Sequence, residues 1–177
     1  LRMGTSGITA QAYGADRPGE CANMLARSVW VAAVLALLLL AFQRPIGHAS
    51  LALMQAGDRV SALAADYFFA RVWAAPASIL LFSLQGWLIG MQDARTPMFI
   101  AILSNVVNVV FSLWFALGLG WGIAGVAWGT VVAQYTALLV ALVFLWVKYR
   151  GYLRLIDLRA SFSPAPLVHF LTVNRDI

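Results

Sequence analysis

The strongest sign of chemistry in the 177-residue sequence is a stripe of polar side chains in a long uncharged segment. Residues 96–147 include no Asp, Glu, Lys or Arg, yet they carry Ser104, Asn105, Asn108 and Ser112. At 100° per residue these four side chains lie within an arc of about 100° on a helix. They can line a cavity that contacts a substrate or a hydrated cation, or they can hydrogen-bond to a neighbouring helix. Both interpretations stay open.

A second stripe precedes the first, with Arg71, Ser78, Gln85 and Gln92 spaced by seven residues. Seven residues are close to two helical turns, so these side chains share one face. We expect Arg71 to extend toward the lipid headgroups. Gln85 is central and needs a polar partner, either on another helix or in a pore.

A third polar group follows, with Gln134 one helical turn after Thr130 and Tyr135 beside it. Gln85, Asn105, Asn108, Ser112, Gln134 and Tyr135 are therefore the candidates for a substrate or cation pathway. Small residues on the same segment, Gly125, Gly129 and Ala133, recur every four positions, which predicts close packing against another helix.

Several kinds of chemistry lack support in the sequence. No carboxylate lies centrally in an apolar segment, although ion-coupled carriers usually place an ionisable residue there. No nucleophile–base pair, phosphate-binding loop or dinucleotide motif is present, so we predict that the chain is not an enzyme. With one cysteine, Cys21, and no Cys/His cluster, we predict no disulfide, no metal site and no bound cofactor.

The composition requires a bilayer. The chain is 62% hydrophobic and 11% charged, whereas soluble domains have about 25% charged residues. Its net charge of +5 does not indicate nucleic acid, because the basic residues lie between apolar runs and not on a polar face. We therefore predict an all-α integral membrane protein with no nucleic-acid partner.

Four membrane spans are predicted, at about 23–43, 67–92, 97–117 and 123–148. The uncharged segment 96–147 would reach about 78 Å as one helix, so it must fold back, and the glycines of 118–122 permit the reversal. Pro76 is expected to kink the second span. Thr96 is expected to cap the third, with Asp93 also near its positive end. Residues 1–22 are assigned to the end of a preceding helix and a cytoplasmic loop, and residues 149–177 to another cytoplasmic loop.

The orientation follows from the distribution of Lys and Arg between loops. Nine basic residues fall on one side of the predicted spans and three, Arg44, Arg59 and Arg71, on the other. The side with nine should be cytoplasmic, which places both chain ends in the cytoplasm.

Several stretches resemble the DinF-like branch of the multidrug and toxic compound extrusion (MATE) family. They are LRMGTSGITAQAYG at 1–14, DYF at 66–68, RVWAAP at 71–76, GWLIGMQDAR at 86–95, NVVN at 105–108, GLGWGIAG at 118–125 and QY at 134–135. The resemblance runs from residue 1 to about residue 177 without a long gap.

The resemblance implies that the four spans belong to the six-helix amino-terminal lobe of a twelve-helix transporter, and that the chain is a fragment. It also implies export of drug-like, often cationic, compounds by H⁺ or Na⁺ antiport across a bacterial inner membrane. The lipid bilayer, the small organic substrates and the remaining helices would be the partners. Asn108 matches an asparagine of the family's cation site, but Ser112 stands where an aspartate is common.

Two alternatives remain. A flippase for a lipid-linked oligosaccharide, in the same superfamily, would need more basic residues in a central cavity, and only Arg71 is a candidate. A non-transporting membrane scaffold would use its polar stripes for helix association alone.

Overall fold

The computed structural model describes residues 2–54 and 57–161 together with residues 168, 170 and 172. These residues form helices and turns without a strand, in the order α1 (Arg2–Gly14), α2 (Pro18–Ala41), α3 (Gln43–Met54), α4 (Asp58–Arg71), a 3-10 turn (Val72–Ala74), α5 (Ala75–Gly90), α6 (Arg95–Leu113), a π-helical turn (Trp114–Gly118), α7 (Gly122–Leu153) and α8 (Leu158–Ser161). The predicted all-α fold class is thereby confirmed.

Four helical segments in the described part of the chain are long and apolar enough to cross a membrane: Pro18–Ala41, Asp58–Gly90, Arg95–Gly118 and Gly122–Leu153. The second begins well before the predicted residue 67, because the helix also includes the charged positions Asp58, Arg59 and Asp66. Helix α3 lies between the first two spans. Of the predicted loop at 149–177, the positions 162–167, 169, 171 and 173–177 lie outside the described residues.

Pro76 changes the helix geometry locally, one turn after Arg71. It has no N–H to donate to the carbonyl four residues earlier. That carbonyl, on Val72, accepts the Ala75 N–H, and a 3-10 turn joins α4 to α5. The two helices thus form one long segment.

Helix α5 is central in the bundle. Trp87 is fully buried, and its indole Nε1–H donates to the Cys21 carbonyl at 2.7 Å. On another face, a Cβ at Gly86 would lie 2.6 Å from the Arg2 carbonyl oxygen, and one at Gly90 would lie 2.5 Å from Thr9 Cβ. The two glycines therefore let α1 pack directly against α5.

Helices α6 and α7 form the other close pair. The chain reverses between them, where Gly120 and Gly122 have φ of +71° and +55°, conformations that glycine adopts without strain. A Cβ at Gly125 would lie 2.7 Å from the Ala116 backbone nitrogen, and one at Gly129 would lie 2.5 Å from that of Ser112. The predicted close-packing role of this glycine row is confirmed.

Candidate amide-lined cavity

A cavity of about 470 Å³ lies between α5, α6 and α7. Three of the six predicted pathway residues line it, one from each helix: Gln85, Asn105 and Gln134. We call it the amide cavity; its lining also includes Leu39, Arg71, Ala75, Ser78, Ile79, Leu81, Phe82, Ile100, Ala101, Ser104 and Ala137. Three carboxamides from three helices thus face one space, and each can both donate and accept hydrogen bonds.

The seven-residue stripe explains the length of this cavity. Arg71, Ser78 and Gln85 all line it, and at 1.5 Å per residue they extend over about 21 Å of helix. Gln92, the fourth member, lines a different pocket. The stripe ends before it because α5 ends at Gly90, and Gln92 has a φ of +60°.

The other predicted pathway residues lie outside the lining. Asn108 Nδ2 donates to Thr130 Oγ1 at 2.9 Å, and Thr130 Oγ1 donates to the Val126 carbonyl at 3.1 Å. Ser112 Oγ donates to the same carbonyl at 3.4 Å. Asn108 and Ser112 therefore join α6 to α7 in this structure, whereas Tyr135 is exposed.

An apolar groove of about 270 Å³ continues from the amide cavity. The two share Leu39, Arg71 and Ala75, and the groove adds Gln43, Ile46, Tyr67, Phe68 and Val72. Arg71 is the one charged side chain that lines either space among the described residues. The described lining therefore combines a guanidinium, neutral amides and apolar surface, without a carboxylate.

A second polar cluster joins the turn between α5 and α6 to the end of α7. Asp93 Oδ2 accepts the Lys148 Nζ at 2.8 Å, the Tyr149 hydroxyl at 3.0 Å and the Thr96 hydroxyl at 2.7 Å. Its Oδ1 accepts the Thr96 backbone N–H at 3.1 Å. We call these four residues the Asp93 cluster.

Asp93 remains ionised despite its burial. Burial raises the pKa of its carboxyl, but the hydrogen bonds from Lys148, Thr96 and Tyr149 outweigh that effect and hold the pKa well below its usual range. A carboxylate with four donors is a stable anchor between α5, α6 and α7.

The predicted capping of α6 by Thr96 is wrong. Thr96 lies within the first turn, and Asp93 accepts its backbone N–H. The available signal was the spacing, because an Asp three residues before a backbone N–H is a common N-terminal capping pattern. The partner Lys148, 55 residues away, had no comparable signal.

The described residues contain no group of three or more His, Cys, Asp or Glu that could hold a metal ion. Coupling to H⁺ or Na⁺ stays a prediction. The roles of the six predicted pathway residues stay predictions.

The family model MatE matches residues 1–114. The chain is 35% identical over 153 residues to DNA damage-inducible protein F of Escherichia coli, a match that covers 85% of the chain and 33% of that relative. It is 37% identical over 82 residues to Protein DETOXIFICATION 43 of Arabidopsis thaliana, covering 46% of the chain and 16% of that protein.

Solved structures agree with this assignment. A MATE protein in a bent conformation superposes with a TM-score of 0.87 at 26% identity, over 99% of this chain and 39% of that one. An inward-facing multidrug resistance MATE transporter of the MOP superfamily gives 0.85 at 26% identity, over 99% and 39%. The chain thus spans about one third of its E. coli relative and two fifths of these structures. The predicted resemblance is confirmed, and the chain belongs to the MatE family.

Proposed function

We propose that the chain forms part of a secondary active transporter that exports drug-like organic compounds in exchange for H⁺ or Na⁺. It would act in the inner membrane of a bacterium, with its two ends in the cytoplasm and with further helices completing the transporter. Membership of the MatE family supports this proposal, as do relatives named as multidrug resistance proteins, including NorM of Synechocystis and YoeA of Bacillus subtilis.

The observation that carries the proposal is the amide cavity. Gln85, Asn105 and Gln134 belong to helices long and apolar enough to span a membrane, where a polar side chain without a partner is costly. Three carboxamides facing one space of about 470 Å³ can bind the polar groups of a small molecule, and the apolar groove can take its hydrophobic part.

The coupling ion needs a titratable or ion-binding group. In the proposed mechanism that group is a carboxylate on one of the completing helices, because the described cavity lining has none. Asn108 matches an asparagine of the family's cation site, and Ser112 stands where an aspartate is common. In this proposal both contribute by holding α6 against α7.

Transport by the full-length protein that carries these residues tests the proposal. Reconstituted proteoliposomes with an imposed H⁺ or Na⁺ gradient should take up a fluorescent drug-like compound, and collapse of the gradient should stop the uptake. We expect Gln85→Leu and Asn105→Leu each to lower the rate by about tenfold or more, since each removes hydrogen bonds to the substrate.

Gln11→Leu is the matched control, because Gln11 on α1 is exposed and does not line the cavity. It should retain the wild-type rate. Gradient-independent uptake would contradict antiport. Wild-type rates in both leucine variants would mean that the polar stripes serve helix association and not substrate binding, whereas no gradient-driven uptake by the wild type would favour the non-transporting scaffold.

A further inference from the structure

Arg71 stands where the amide cavity meets the apolar groove. It lines both spaces, together with Leu39 and Ala75. On the groove side its neighbours include the apolar side chains of Ile46, Phe68 and Val72. On the cavity side are the amides of Gln85, Asn105 and Gln134.

The charge of Arg71 is not neutralised within the described residues. The Arg71 guanidinium donates no hydrogen bond to a described residue, and the two ion pairs of this part of the chain involve other residues. The nearest acid along the chain, Asp66, is exposed and lines neither space. An ionisable side chain in a membrane-spanning segment normally pairs with another group or marks a ligand pathway.

The position of Arg71 along its helical segment suits the entrance of a binding site. Arg71 lies 19 residues before Gly90, about 28 Å along the helical segment, and the hydrocarbon core of a bilayer is about 30 Å thick. With Gly90 at one edge of that core, the guanidinium lies near the other edge, within the candidate span Asp58–Gly90. A side chain that only extended to the headgroups would not need to line an internal cavity.

We propose that Arg71 makes this region a binding site for amphipathic organic anions. The carboxylate or sulfonate of the ligand accepts hydrogen bonds from the guanidinium, its apolar body lies in the groove, and its neutral polar groups contact the amides. This inference rests on the proposed function and reverses the substrate charge that the family resemblance implied. The described lining places no carboxylate beside this fixed cation, which therefore attracts anions and disfavours cations.

Two probes with the same fluorophore and opposite charge test the proposal. Dansylglycine carries a carboxylate and dansylcadaverine an ammonium. Each is titrated into the full-length protein in nanodiscs of zwitterionic lipid, and its affinity is read from dansyl fluorescence. We expect dansylglycine to bind at least tenfold more tightly. This preference is measured on the wild type, so it does not depend on any variant folding.

Substitution then assigns the preference to Arg71. Arg71→Gln should weaken dansylglycine binding by about tenfold and leave dansylcadaverine binding unchanged or stronger, whereas Arg71→Lys should retain part of the preference. Arg59→Gln is the matched control, because Arg59 is exposed and lines neither space. Equal binding of the two probes, or an equal effect of Arg71→Gln on both, would overturn the proposal.

An anionic phospholipid has the same chemistry, an acidic head on an apolar body. Repeating the dansylglycine titration in nanodiscs that contain phosphatidylglycerol distinguishes a soluble anion from a lipid headgroup. Unchanged dansylglycine affinity supports a soluble ligand. Loss of binding would show that the lipid occupies the site and would overturn the proposal of a soluble anion. Transport separates this inference from the proposed function: export of dansylcadaverine alone would refute the anion site, and Arg71-dependent binding without any export would refute the transporter.

Discussion

Two charged side chains, one at the end of α4 and one just after α5, have opposite surroundings. Asp93, just after α5, is 8% exposed and accepts four hydrogen bonds, from Lys148, Tyr149 and two groups of Thr96. Arg71 lines a cavity and a groove and pairs with no described residue. A buried charge with a full set of partners holds its neighbours in place, whereas a charge without partners can bind a ligand.

Within one bundle, the Asp93 cluster has a structural role and Arg71 a proposed ligand-binding role. The Asp93 cluster joins the α5–α6 turn to the end of α7, so its loss should loosen the packing of these helices. Replacing the Arg71 side chain would break no hydrogen bond or ion pair with a described residue. The free energy of unfolding measures this difference between the Asp93 cluster and Arg71.

Asp93→Asn should destabilise the protein by about 2–3 kcal/mol, because the amide cannot accept all four hydrogen bonds and leaves Lys148 without its counter-ion. Denaturant or thermal unfolding of the purified protein in nanodiscs measures the loss. Asp157→Asn is the control, an acid whose described contacts are to the backbone N–H groups of its own turn and to Asn23. A change under about 0.5 kcal/mol in Asp93→Asn would show that the cluster does not anchor the bundle.

Acidification should gradually remove the stabilisation that the Asp93 carboxylate provides. The folded pKa of Asp93 lies below the usual value of about 3.9. The stabilisation is therefore complete above the unfolded pKa and is lost as pH falls through the folded pKa. Between pH 7 and pH 5 the stability difference between wild type and Asp93→Asn should stay constant, and below about pH 4 it should shrink. A decrease between pH 7 and pH 5 would contradict a depressed pKa.

How far the sequence predicts these two sites depends on whether the contacts are local. The seven-residue spacing of Arg71, Ser78 and Gln85 predicts a shared face, and the structure places all three in one cavity. Helical periodicity alone determines this result, and it fails at Gln92 because the helix has ended.

Contacts between helices could not be predicted in the same way. Asn108 could be recognised as needing a partner, but its bond to Thr130 depends on the crossing of α6 and α7, which Gly125 and Gly129 permit. The pairing of Asp93 with Lys148 spans 55 residues. In the sequence, Lys148 contributed only to the count of basic residues that indicates orientation.

Lys148→Met should have a smaller effect than Asp93→Asn, about 1 kcal/mol. The side chain of Lys148 is 53% exposed, so solvent weakens its ion pair, and Asp93 keeps the hydrogen bonds from Thr96 and Tyr149. Arg150→Met, two residues away and without an ion pair in the described chain, is the control and should change the stability by less than about 0.5 kcal/mol. Equal losses in Lys148→Met and Asp93→Asn would mean that the ion pair alone holds the cluster.

Arg71→Gln should change the stability least, by less than about 0.5 kcal/mol in either direction, because no described hydrogen bond or ion pair is lost. Denaturant or thermal unfolding of the variant in nanodiscs measures this change, and Asp93→Asn is measured in the same way for comparison. A loss approaching that of Asp93→Asn would mean that Arg71 is bound to a structural partner in the full-length protein, and the two charges would then have the same role. A negligible loss of stability together with a loss of dansylglycine binding is the combination that only a ligand-binding arginine predicts.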